Sequence, residues 1–171
     1  GKHIAIMDFG IKTNIIKNFS KRGCKVTVFP YNSSAEEVLS VNPDLVFLSN
    51  GPGDPEDLGE VIEQIKLIVG KKPLVGICLG HQLLALALGG QTSKLKFGHR
   101  GGNHPVKDLI NDRVHITAQN HGYYVSRIPE GMEITHVNMN DNTVEGMRHT
   151  TLPIFSVQYH PEACPGPKDS E

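Results

Sequence analysis

Over residues 3–90, short apolar runs alternate with stretches of helical spacing. The runs HIAIMDF (3–9), KVTVFPY (25–31), DLVFLS (44–49) and PLVGI (73–77) have strand length and are rich in β-branched and aromatic residues, so they predict four strands. Between them, Ile11, Ile15, Ile16 and Phe19 fall on one helical face. Leu58, Val61, Ile62, Ile65, Ile68 and Val69 fall on another. Ser34 with Glu37 has the capping-box pattern and predicts a short helix through Leu39. The run GHQLLALALGG (80–90) predicts a helix that is apolar all round and therefore buried. Strands alternating with helices imply βαβ units, a parallel sheet and right-handed crossovers. The near-continuous apolar run at 44–49 fits a strand covered on both faces.

The pattern changes after residue 90. TSKLKF (92–97), VKDLINDRVHITA (106–118), EITHVNM (133–139), TVEGMRH (143–149) and PIFSVQYH (153–160) read as strands, with hairpin turns at Asn111-Asp112 and at 140–142. His99, His104 and His121 are placed in loops by this reading. The predicted fold is α/β: a three-layer αβα sandwich with a mostly parallel central sheet and antiparallel additions in the C-terminal half.

Length and charge narrow the function classes. With 171 residues the chain is one domain with room for a sizeable core. A formal net charge of −1 leaves no basic footprint for nucleic acid and no polybasic patch for a membrane surface. No apolar stretch approaches the length of a membrane span. Cys24, Cys78 and Cys164 are odd in number and widely spaced, which argues against a disulfide framework and for a reducing, cytoplasmic setting. The chain opens directly into a strand, and its last residues, GPKDSE, read as the approach to a further helix. Both features predict a piece of a longer polypeptide.

The chemistry centres on Cys78. Gly76-Ile77-Cys78-Leu79-Gly80 has the G-x-nucleophile-x-G form of a nucleophile elbow, in which a strand turns sharply into a helix. In an open parallel sheet such a turn lies at the carboxyl edge, where ligands bind. A sulfur there meets the positive end of the helix dipole, which favours its reactive anionic form. The amide of Leu79 would face an oxyanion on the attacked carbonyl. Cys24, near a strand start, reads as structural. A cysteine nucleophile needs a histidine, and the histidine needs an orienting acceptor. His81 follows the elbow too closely to point back at the sulfur. His160 is the best candidate: it ends an apolar strand, and Glu162, two residues on along an extended chain, can reach its ring. The loop NGPGDPED (50–57) lies at the same sheet edge. Gly51 and Gly53 there let the backbone approach a ligand, and the absence of a Lys-Ser/Thr pair excludes a phosphate loop. Asp8-Phe9-Gly10 has none of the companion motifs of a kinase. No His/Cys group has the spacing of metal ligands.

Taken together, residues 50–55, 76–82 and 159–162 resemble the motifs of the class I glutamine amidotransferases, in the same order along the chain. FGHRGGNHPV (97–106), QNHGYYV (119–125) and HPEACPGPKDS (160–170) are similar to the glutaminase subunits of carbamoyl-phosphate synthetases within that class. Cys164 stands where that pattern has serine. The resemblance implies a Cys78–His160–Glu162 triad, an oxyanion site from the amides of Gly51 and Leu79, and contacts to L-glutamine from Gly53, Gln82, Asn120, Gly122 and Tyr123. Tyr123 takes a position where phenylalanine is common. It further implies a large synthetase partner that receives ammonia and a missing N-terminal domain of the same subunit, beside the missing C-terminal helix read from GPKDSE. No cofactor is implied in residues 1–171; ATP, magnesium and bicarbonate would belong to the partner. An amidotransferase domain for another acceptor, a nucleotide or chorismate, is the alternative reading, and a non-catalytic regulatory domain of the same fold is a third. Whether the product would feed arginine or pyrimidine synthesis is open at this level.

Overall fold

A computed structural model describes residues 1–10 and 13–159. Its first half holds the strands β1 (His3–Asp8), β2 (Lys25–Pro30), β3 (Leu45–Leu48) and β4 (Leu74–Ile77). The helices α1 (Thr13–Lys21), α2 (Ala35–Ser40), α3 (Gly59–Ile68) and α4 (Leu79–Ala87) alternate with them. The second half adds β5 (Gln91–Asp108), β6 (Arg113–Arg127), β7 (Met132–Asn138), β8 (Val144–His149) and β9 (Ile154–Val157). All nine form one sheet in the order β2-β1-β3-β4-β9-β8-β7-β5-β6. Strands β2 through β9 at one end of that order run parallel, and β8, β7, β5 and β6 continue it antiparallel. The predicted sandwich is the observed one.

Period-two alternation builds the layers. In β1, Ala5 and Met7 join a core with α2, α3 and α4, whereas Ile4 and Ile6 join a second core with Ile15, Ile16 and Phe19 of α1. Each strand near the middle is thus covered on both faces, which explains the near-continuous apolar runs. The capping box of α2 forms as its residues demand: Glu37 N donates to Ser34 Oγ at 3.1 Å, and Ser34 N donates to Glu37 Oε1 at 3.0 Å. Asp112 and Asn142 take positive φ in the two predicted hairpin turns, at 52° and 62°. No helix among the described residues is long and apolar enough to cross a membrane.

One placement differs. His99 and His104 lie within β5 and His121 within β6, not in loops. The glycines between them hide the strand: Gly98 and Gly101 have φ of 69° and 87°, and the β5–β6 register shifts between Lys94 and His99 and again between Gly101 and His104. A strand interrupted by bulges loses the alternation by which sequence reveals it.

Candidate active site

Strand β4 ends at Ile77 and α4 begins at Leu79, so Cys78 alone makes the turn. Its backbone sits at φ 51°, ψ −110°, a strained conformation for a side chain with a Cβ and worth about 1–3 kcal/mol. Neighbouring contacts hold it there. Cys78 N donates to Val157 O at 2.9 Å, and Gln82 N donates to Cys78 O at 3.2 Å. The flanking glycines are steric necessities. A Cβ on Gly76 would lie 2.7 Å from the Gly80 carbonyl, and one on Gly80 would lie 2.2 Å from Leu48 O. The predicted elbow is therefore present, and α4, with its apolar side chains buried between the sheet and α3, anchors it.

The carboxyl ends of β1, β3, β4 and β9 are adjacent in the sheet. Gly51, in the loop after β3, is pressed against β1's end: a Cβ there would come within 2.1 Å of Phe9 O. Gly53 has φ 98° and opens outward. Leu79 is the first residue of α4, so its amide has no partner within the helix. The amide of Leu79 and the Gly51 loop thus border the same strand ends as Cys78. His160, Glu162 and Cys164 lie outside the described residues; β9, which precedes them, is the strand paired directly with β4.

The structure gives Gln82 an internal task. It is buried, and its Nε2 donates both to Tyr123 O and to Gln158 Oε1, each at 2.9 Å. This amide ties α4 to the 120–123 segment of β6, where Asn120 is exposed and Gly122 and Tyr123 are half-buried. His121 Nδ1 meets the same Tyr123 carbonyl at 2.7 Å, so one oxygen joins the helix, the strand and a histidine. His81 is fully enclosed, as its helical position predicts, with Nδ1 2.6 Å from Ser156 Oγ. Burial first, then the positive field of His121 and His136, lowers its pKa to about 3.

Sequence reasoning passed over one group. His99, His121 and Glu145 come from β5, β6 and β8, and a ligating atom from each lies within 4.8 Å of the others. Burial lowers the pKa of His121 to about 4 and raises that of Glu145. Their separation in sequence carries no spacing motif, and only the pairing of bulged strands brings them together.

The family model of the class I glutamine amidotransferases matches residues 5–171. The chain is 80% identical over its whole length to the carbamoyl phosphate synthase small chain of Clostridium perfringens, covering 49% of that protein. It is 59% identical to the carbamoyl phosphate synthase pyrimidine-specific small chain of Bacillus subtilis, over 99% of this chain and 47% of the relative. The chain thus spans about half the length of the curated relatives it matches. A putative GMP synthase protein of Thermoplasma acidophilum superposes with a TM-score of 0.81 at 21% identity, over 94% of this chain and 84% of that one. A glutamine amidotransferase of Thermotoga maritima gives 0.75 at 20% identity, over 94% and 75%. The last two similarities establish the fold, and the first three findings establish more: this chain belongs to the class I glutamine amidotransferase family.

Proposed function

We propose that the chain is the glutamine-hydrolysing domain of a carbamoyl-phosphate synthetase small subunit. The observation that carries the reading is Cys78, held at positive φ between two glycines that admit no Cβ, at the start of a buried helix. A nucleophile in that conformation projects from the sheet's edge, toward the ends of the neighbouring strands.

In this reading the Cys78 sulfur attacks the side-chain amide carbon of L-glutamine. The carbonyl oxygen becomes an oxyanion between the amides of Leu79 and Gly51. His160, oriented by Glu162, gives a proton to the departing nitrogen, and ammonia leaves a γ-glutamyl thioester on Cys78. Water, losing a proton to His160, then attacks the thioester carbon and releases glutamate and free Cys78. Gly53, Asn120, Gly122 and Tyr123 hold the amino-acid end of the substrate. Gln82 acts chiefly by fixing the Tyr123 carbonyl, since both of its amide hydrogens are engaged within the fold. Ammonia passes to a large synthetase subunit, which uses ATP, magnesium and bicarbonate. Water-free transfer keeps it from becoming ammonium, which is no nucleophile. Residues 1–171 form the glutaminase domain, and a C-terminal helix and an N-terminal domain of the same subunit complete it. The unpaired Cys24 and Cys78 suit a reducing cytoplasm.

Cys78→Ser tests the nucleophile. Glutamate release and covalent capture by an electrophilic glutamine analogue should both disappear, and survival of both removes the assignment. Adding the purified synthetase subunit should raise glutamine hydrolysis by the wild-type chain, whereas stimulation by a GMP or anthranilate synthase partner instead would reassign the acceptor.

A further inference from the structure

The His99–His121–Glu145 group is a convergence of acceptors. His99 Nε2 is 2.6 Å from Asp141 Oδ2, whose pKa is lowered by that bond, so Nε2 carries the ring proton. His121 Nδ1 meets the Tyr123 carbonyl, which can only accept, so Nδ1 carries the proton there. With both rings neutral, the other two nitrogens, His99 Nδ1 and His121 Nε2, turn lone pairs toward each other across 3.1 Å. Gln119 Oε1 is a further acceptor, 2.9 Å from His121 Nε2. Rotating that amide does not relieve the conflict, because its oxygen would then face the Glu145 carboxylate, now 3.1 Å from its nitrogen. Glu145 is only 1% exposed. Its Oε2 accepts from Asn138 and Gln119 and lies 3.8 Å from His99 Nδ1, while its Oε1 has no hydrogen-bond partner. Burial opposes a second proton on the His121 ring.

We propose that this group is a binding site for one divalent cation of the zinc type, with His99 Nδ1, His121 Nε2 and the Glu145 carboxylate as its protein ligands. Ligands about 2.0–2.2 Å from a tetrahedral centre stand roughly 3.3–3.6 Å apart; the observed 3.1 and 3.8 Å bracket that range, and the third pair, His121 Nε2 and the Glu145 carboxylate, lies within 4.8 Å and would have to draw together on binding. Two imidazoles and one carboxylate suit a borderline cation rather than magnesium or calcium, which take oxygen ligands. The outer contacts are those of a metal centre: each histidine donates its far N–H to a carboxylate or a backbone carbonyl, which fixes tautomer and ring orientation. The cation is structural. It joins β5, β6 and β8, and through His121 it secures the Tyr123 carbonyl to which Gln82 and α4 are bonded.

Cobalt(II) is the probe, because four-coordinate cobalt absorbs visibly and zinc displaces it. The tag-free chain, stripped with a chelator and dialysed, should bind one equivalent of cobalt and surrender it to one equivalent of zinc. His99→Gln and Glu145→Gln should each weaken binding about 100-fold or more, and Asp141→Asn about 10–100-fold. Circular dichroism identifies any variant that fails to fold, and Asp141→Asn, which leaves all three ligands in place, then supplies the comparison. A wild-type chain that takes up neither cobalt nor zinc stoichiometrically would overturn the proposal, showing a shared proton in the group instead. Undiminished binding in both folded ligand variants would overturn it equally.

Discussion

At the scale of single residues, the elbow depends on atoms that are missing. Gly80 lets α4 lie against β3: a methyl group there would overlap Leu48 O at 2.2 Å, and backbone on both sides leaves nothing flexible to move. Gly80→Ala should therefore cost about 3 kcal/mol or more, the upper range for overpacking, and lower the thermal midpoint. It should also displace Cys78, so capture by an electrophilic glutamine analogue should slow even at temperatures where the variant stays folded. Normal stability and normal labelling together would show that the turn has slack that these distances deny. Gly53→Ala is the contrast. Its Cβ would meet nothing, and only the left-handed φ of 98° opposes it, so the penalty should be about 1 kcal/mol. The elbow was legible in sequence because two glycines flanking one cysteine at fixed offsets encode this crowding. Gln82 was legible only as a position near the substrate, since its bond to Tyr123 O crosses from one half of the chain to the other.

At the scale of elements, local chemistry and tertiary pairing divide what the sequence reveals. Helix α2 has only six residues, too few to persist on propensity, and its capping box satisfies amides that its short length leaves open. Ser34→Ala should cost about 1 kcal/mol, read as a lower urea midpoint with an unchanged slope. A loss well below that would mean that packing of Ala35 and Val38 alone defines the helix start. Each inner parallel strand was recognisable because it is short, covered on both faces and bounded by breakers, and the edge strand β2 by its β-branched run alone. β5 was not. Its eighteen residues cross three register shifts, two of them beside glycines at positive φ, so the alternation that marks a strand is broken where His99 and His104 lie. The cation site proposed from His99, His121 and Glu145 was hidden for the same reason, since bulges decide which way those side chains face and no spacing rule encodes them.

At the scale of the whole molecule, acid stability follows from the fully buried histidine beneath the elbow. His81 is held neutral, with its pKa lowered to about 3, whereas in the unfolded chain it titrates near its ordinary value of 6.5. Between those values the unfolded state binds the additional proton, so stability rises with pH across this window and is complete above about 6.5. Falling pH removes it, by up to about 1.4 kcal/mol for each unit crossed. Other groups titrate in the same interval, Glu145 with the opposite sign because its pKa is raised. The comparison of two proteins isolates the histidine. His81→Asn loses buried contacts and should be less stable than wild type at pH 7.5. Because asparagine has no proton to gain, the stability difference should narrow steadily from pH 6.5 toward pH 4.5 in denaturant unfolding. A gap that stays constant over that range would mean that water reaches the ring or that His81 charges freely in the folded protein. Either result contradicts the enclosure between α4 and β9 that also fixes Cys78 against Val157.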